Sequence, residues 1–288
     1  RRPDAVGCRT ATRVRVVHGS PVVEVETRFD NRADDHRLRA LFPTGVVTDS
    51  VVSDGHFMIN RRPIERPDGS GWVQPPPSTV PQQEFSLVED GKRGLAVLNR
   101  GLPEVEATRD AEGRATLKLT LLRAVGWLSR DDFGTRCRQN AGPTLHAPEA
   151  QCRGEHTFHY AVLPFAGDHL DAGLKVLSER YRTPVLTKQG VLAGSVPGGG
   201  GLLEKRTGFT SVTAVKKHEY RETLVVRLCN LSGREVTETL TVGCAIEGAW
   251  RTDLLEERLE SVATRSEREL DVVLGPHEIA TIELEFEQ

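Results

Sequence analysis

Aromatic side chains are scarce in this 288-residue chain: Phe, Trp and Tyr together make up 5%, and there is a single Met. A dedicated carbohydrate-binding module relies on exposed aromatic platforms, so the composition argues against one. Lysine is scarce as well, with seven among the 38 basic residues. Acidic residues number 41, leaving a net charge of −3 and a pI near 6.4. That balance gives no electrostatic footprint for nucleic acid or for an anionic membrane surface. No apolar run approaches the roughly 20 residues that span a bilayer. The opening Arg1-Arg2-Pro3-Asp4 lacks the apolar stretch of a signal peptide and, with no Met before it, reads as mid-protein sequence.

Cysteine is sparse and badly placed for a framework. Cys8, Cys137, Cys152, Cys229 and Cys244 are odd in number, widely spaced and free of any CxxC pair. This excludes a zinc knuckle and a disulfide scaffold, and it predicts buried or half-buried free thiols in a reducing, cytoplasmic setting. A bridge between Cys137 and Cys152, across the loop they flank, stays open.

What the chain does have is alternation. Val23, Val25, Thr27 and Phe29 oppose Glu24, Glu26 and Arg28, and Leu38, Ala40 and Phe42 oppose Arg37 and Arg39. Leu117, Leu119 and Leu121 oppose Thr116, Lys118 and Thr120, while Ala280, Ile282, Leu284 and Phe286 oppose Thr281, Glu283 and Glu285. A period of two places one face on a core and the other in water. Turn signals separate the runs: Asp54-Gly55, Asp68-Gly69, Asp90-Gly91, Glu112-Gly113, Ser232-Gly233 and Gly275-Pro276. Many strands joined by such turns predict β-sandwiches.

One segment departs from this period. Leu170, Leu174, Leu177 and Tyr181 recur at helical spacing, predicting a helix from Asp168, as N-cap, to about Arg182, ended by Pro184. The Gly198–Gly201 run that follows is a flexible linker, since no Lys-Ser/Thr makes it a phosphate loop. The expected organisation is a large β-sandwich over 1–167, a helical connector and Gly-rich linker over 168–201, and a smaller β-sandwich over 202–288.

No nucleophile elbow, Walker loop, dinucleotide fingerprint or metalloprotease helix is present. His156 and His159 fall at odd separation in a predicted strand, which sends them to opposite faces and makes a poor ligand pair. His56 sits beside a turn signal. Gly126 to Asp132 stands out: Trp127, Arg130, Asp131 and Asp132 supply an indole, a guanidinium and two carboxylates at the head of a polar loop. Such a set can stack on and hydrogen-bond a sugar. It can equally be a local ion pair pinning the loop, with Trp127 in the core.

Several stretches resemble the C-terminal region of glycoside hydrolase family 38, the α-mannosidases, in its bacterial form. They are Asp35–Pro43, Asp90–Glu104, Leu119–Asp132 and Ala150–Pro164, with weaker likeness at Arg227–Gly233 and Gly275–Thr281. The resemblance implies a galactose-mutarotase-like supersandwich and a smaller sandwich, both packed on an N-terminal catalytic domain. That domain would bring zinc, an Asp nucleophile and a retaining mechanism; this chain would bring no catalytic residue, no metal site and no cofactor. Its implied partners are that catalytic domain and an α-mannoside. The resemblance also implies that Trp127, Arg130, Asp131 and Asp132 approach outer sugar subsites or a domain interface. The competing reading is a stand-alone carbohydrate-binding or sugar-epimerising sandwich, which would need a concave sheet face carrying converged aromatics or a His–carboxylate pair.

Overall fold

The structure, a computed structural model, describes residues 5–130, 132, 142–187, 189–190 and 201–287. The chain is mostly β and forms two compact units. Unit 1 runs to Gly55 and resumes over Asn60–Ala172; unit 2 joins His56–Ile59 to the residues from Gly173 onward.

Unit 1 is an antiparallel sandwich of two sheets. The larger has the spatial order β1 (Thr10–Val16), β2 (Val23–Asn31), β11 (Gly154–Ala166), β8 (Arg93–Asn99), β7 (Phe85–Glu89), β4 (Ser50–Gly55) and β5 (Met58–Pro63). The smaller runs β3 (His36–Val47), β10 (Arg114–Ala124), β9 (Glu104–Arg109) and β6 (Thr79–Pro81). Both inner faces feed one core: Leu117 and Leu119 of β10 and Val105 of β9 join Phe29, Val97, Phe158 and Tyr160 of the larger sheet. Leu38, Ala40 and Phe42 pack against it, as the alternation predicts. The Asp90-Gly91 and Glu112-Gly113 signals both make hairpins. In the first, Asp90 Oδ1 accepts the Lys92 and Arg93 N–H groups at 2.9 Å each and Gly91 supplies φ 83°.

The β4–β5 hairpin departs from expectation by one step. Asp54 and Gly55 lie within β4, and the turn falls on His56 and Phe57, the latter at φ 57°. His56 is a turn residue. His156 and His159 lie on β11 as expected; His156 bonds the Cys152 carbonyl at 2.8 Å and stacks on Phe158.

Unit 2 repeats the sandwich plan on a smaller scale. One sheet is ordered β12 (Leu203–Lys205), β15 (Val236–Val242), β19 (Glu269–Leu274) and β18 (Thr264–Ser266). Its partner is β13 (Thr210–Lys217), β14 (Leu224–Asn230), β20 (Ile279–Phe286), β16 (Ile246–Thr252) and β17 (Arg258–Ser261). Leu228, Leu240, Leu270, Leu274, Ile282 and Leu284 build the core between them. The opposite face of β20 is not in water, contrary to the simple alternation. Glu283 is fully buried, because Arg221, Thr223 and Arg258 close over its carboxylate with bonds of 2.8–3.0 Å.

The helix α1 spans Leu174–Arg182, and its cap position, Gly173, lies five residues beyond the expected Asp168. Asp168 does cap, accepting the Leu170 and Asp171 N–H groups at 2.8 and 2.9 Å. What it caps is a turn, because Gly173 at φ 64° breaks the spiral before Leu174. Among the described residues Cys8, Cys152, Cys229 and Cys244 are free thiols; Cys137 lies outside those residues.

Candidate functional site

The site singled out in the sequence sits where β10 ends. Beyond Ala124 the chain leaves the sheet, and two backbone bonds hold it: Val125 N–H to Ala150 O at 3.0 Å, and Ala147 N–H to Gly126 O at 2.8 Å. Trp127 pairs with His146 as an isolated antiparallel bridge, and their rings meet at 5.1 Å between centroids. Pro148–Gln151 then form a short 3₁₀ turn that ends on Cys152 at φ 50°.

Asp35 and Gln151, 116 residues apart, clamp the floor. The Asp35 N–H donates to Gln151 Oε1 at 2.9 Å, and Gln151 Nε2 donates back to Asp35 Oδ1 at 2.8 Å. Asp35 Oδ1 also accepts the Gly126 N–H at 3.1 Å. Gly126 is buried under this clamp: a Cβ there would stand 3.0 Å from Gln151 Nε2, so the glycine lets the loop lie flat. Beneath, Asn31 Nδ2 donates to the carbonyls of Gln151 and Cys152 at 2.9 and 2.8 Å. Arg153 grips Asp34 at 2.8 Å. A polar network with this many mutual partners fixes its members in place.

Above the floor lies an open cleft of about 380 Å³, lined by Asp34, Asp35, Val125, Gly126, Trp127, Arg130, His146 and Gln151. Trp127 is half-buried and stands outside the unit 1 core, so it is not a core tryptophan. Arg130 lies over its ring at 5.6 Å and forks onto Asp132, with Nε to Oδ1 at 2.6 Å. The guanidinium's hydrogen bond holds the Asp132 carboxyl below its ordinary range. Arg130 and Asp132 form a local ion pair, and Trp127 and Arg130 line the cleft. Asp131 lies outside the described residues. An indole face, a guanidinium, an imidazole and an amide around one opening can stack a sugar's apolar side and bond its hydroxyls.

Known proteins carry the same architecture. The family model described as glycosyl hydrolases family 38 C-terminal domain matches residues 4–133. The model described as glycosyl hydrolases family 38 C-terminal beta sandwich domain matches residues 210–282. This chain belongs to the C-terminal region of glycoside hydrolase family 38. A putative mannosylglycerate hydrolase from Halalkalibacterium halodurans is 29% identical over 279 residues, which are 95% of this chain and 28% of that protein. The crystal structure of an α-mannosidase from Enterococcus faecalis V583 superposes with a TM-score of 0.77 at 29% identity, covering 96% of this chain and 29% of that one. A second family 38 structure from Enterococcus faecalis gives 0.74 at 29% identity, over 96% and 30% of the two chains. The chain thus spans under a third of the length of these relatives.

Within this family 38 region the motif found in the sequence, Trp127 and Arg130, is only half of the site. Asp35, His146 and Gln151 complete it, and no local pattern announces them, because each is brought in by β3 or by the return of the loop. Among the described residues no three His, Cys, Asp or Glu are grouped to hold a metal. His169 and Glu89 form a His–carboxylate pair at 3.0 Å, but Glu89 is buried, His169 is half-buried and Arg61 also holds the carboxylate. Burial pushes Glu89 up, and the bonds from His169 and Arg61 outweigh it, leaving the carboxyl below its ordinary range. No described helix is long and apolar enough to cross a membrane.

Proposed function

We propose that this chain is the non-catalytic C-terminal part of a cytoplasmic, retaining α-mannosidase-type hydrolase, and that its Trp127 cleft lines an outer sugar subsite. The observation that carries the reading is the cleft itself: a half-exposed indole flanked by Arg130 and His146 over a floor locked by Asp35 and Gln151. In this reading the reacting bond is broken in the remaining part of the enzyme, by a nucleophile carboxylate and an acid/base carboxylate. A zinc ion there would grip sugar hydroxyls as a Lewis acid; this chain's own described residues do not fit one. Its contribution is binding and positioning: Trp127 stacks, Arg130 donates, and the clamp keeps both from drifting.

An α-mannoside fits as substrate because the relatives are named for mannosides, and the putative mannosylglycerate hydrolase adds a mannosylated small acid to the candidates. The sugar-epimerising reading is not favoured, since the buried Glu89 carboxylate of the His169–Glu89 pair is also held by Arg61. Trp127→Ala and Arg130→Ala in the full-length enzyme test the proposal. Each should raise KM about tenfold, as expected for roughly 1–1.5 kcal/mol of lost stacking or charge-assisted bonding, with little change in kcat. Unchanged kinetics in both variants would refute it.

A further inference from the structure

One edge of unit 1 is shaped to receive a further strand. Strand β1 closes the larger sheet and pairs with β2 alone, in unbroken register from Thr10 opposite Phe29 to Val16 opposite Val23. All seven of its residues are exposed, and it carries no proline and no bulge. Natural edge strands are ordinarily kept short, kinked or covered, because their unpaired backbone groups are a template for another strand. The ladder fixes where those groups point. The Asp30 N–H donates to the Arg9 carbonyl at 2.9 Å, which makes Arg9 and Asp30 a hydrogen-bonded pair. Antiparallel pairs alternate, so the N–H and C=O groups of Thr10, Thr12, Val14 and Val16 point away from β2.

The side chains set the chemistry of the strand that fits. Thr10, Thr12, Val14 and Val16 share the core-facing side, opposite Phe29, Thr27, Val25 and Val23, yet Val14 and Val16 are 61% and 72% exposed. Ala11, Arg13 and Arg15 occupy the other face. Arg15 is neutralised within the sheet, its Nε donating to Glu24 at 2.9 Å. Arg13 stands opposite Glu26, which Arg28 already holds at 2.9 Å, and it has no ion pair of its own among the described residues. A second copy of β1 would bring only further arginines to that face, and like charges on neighbouring strands repel. The incoming strand therefore needs apolar residues on one side and an acid on the other. The chain spans 28–30% of its relatives, so most of the sequence of such a protein lies outside these residues and can supply it.

We propose that β1 is the docking edge for an extended strand from the part of a family 38 protein that this chain does not span, a strand that alternates apolar with acidic residues. It adds an eighth member to the seven-stranded sheet, takes up the outward amides and carbonyls of β1, covers Val14 and Val16, and sets a carboxylate against Arg13. The proposal rests on the reading above that this chain is one part of a longer enzyme. No residue of the Trp127 cleft takes part in it.

Two measurements test it. The first is fluorescence anisotropy of this chain with a labelled peptide that alternates valine with glutamate and matches the seven residues of β1 in length. A second peptide carries lysine in place of glutamate. The glutamate peptide should bind about tenfold more tightly, and Arg13→Glu should reverse that order. Thr12→Pro removes one outward donor without touching the ladder to β2, and it should weaken both peptides. Should that variant fail to fold, Arg13→Glu alone decides. Equal binding of the two peptides, binding of neither, or indifference to Arg13→Glu overturns the proposal. A dimer in sedimentation that Thr12→Pro dissociates would make a second copy the occupant, and overturns it as well. The second measurement is hydrogen exchange over residues 9–17, in this chain and in the full-length enzyme. The four outward amides should exchange about a hundredfold more slowly in the longer protein. Free exchange there, in an enzyme that hydrolyses an aryl α-mannoside, would sink the docked strand and leave the function standing. Protection in a protein without that activity would keep the strand and sink the hydrolase reading.

Discussion

Glu283 lies on β20 with its carboxylate withdrawn from solvent, and three side chains from other parts of unit 2 converge on it. Burial alone would raise its pKa; the bonds from Arg258, Arg221 and Thr223 outweigh that and bring it down to about 2. A folded value below the ordinary 4.5 means that the charged form is favoured in the native state. The stability contributed is therefore complete above about pH 4.5 and disappears as the pH falls toward 2. Glu283→Gln should cost about 2–4 kcal/mol at pH 7, at the low side for a buried charge network. The discount reflects Arg221 and Arg258, whose side chains are 35% and 32% exposed and rehydrate when freed. Urea denaturation at pH 7 and pH 3 checks this: the gap between variant and wild type should narrow at the lower pH. An equal gap at both would show that shape, not charge, is at stake. The alternation in Ile279–Phe286 correctly gives the core face, Ala280, Ile282 and Leu284. It assigns Glu283 to water because it carries no information about what covers the second face. That cover comes from the first residue of β17, 25 residues away, and from the segment before β14, about 60 residues away.

Elements show the same division between local and distant causes. Strand existence is legible: the paired runs in β2, β3, β10 and β20 all form where the period-two pattern places them. Ends are less so. The helix start slips from Asp168 to Leu174 because Gly173 adopts φ 64°, which apolar spacing does not register. The β4–β5 turn moves from Asp54-Gly55 to His56-Phe57 because pairing to neighbours, not the dipeptide alone, decides which residues remain in the ladder. Strand β16 shows a further device. Trp250 folds its ring over Gly248, whose added Cβ would meet the ring at 2.1–2.9 Å, and Arg258 stacks on that indole at 3.4 Å. An aromatic laid over a strand glycine covers backbone that has no side chain of its own. Gly248→Ala should expel the ring, lose the cation–π contact and cost about 1–3 kcal/mol. Thermal unfolding and the tryptophan emission maximum read the two effects, and a red shift without any loss of stability would show that the stacking is idle.

On the scale of the whole molecule, each unit has its own core drawn from two sheets, which is what a chain needs to fold without help. The candidate site tells a different story about legibility. Trp127 and Arg130 are visible as a motif, whereas Asp35 and Gln151 join only through pairing across 116 residues. The described carboxylates of the site are each held by a partner. Asp132 is held by Arg130 and Asp34 by Arg153, while Asp35 is bonded to Gln151 and Gly126. Carboxylates committed in this way are poor nucleophiles and poor proton donors, since each would have to give up its partner before reacting. The chain also spans only 28–30% of the relatives to which it is similar. Expressed alone, it should give a β-rich circular dichroism spectrum and a cooperative thermal transition, yet show no turnover of an aryl α-mannoside with or without added zinc. Joined to the remainder of its enzyme, the same chain should support hydrolysis, and Trp127→Ala should weaken substrate binding without moving the transition of the isolated chain. Turnover by the chain alone would place the reacting groups within these residues and overturn the division of labour proposed here.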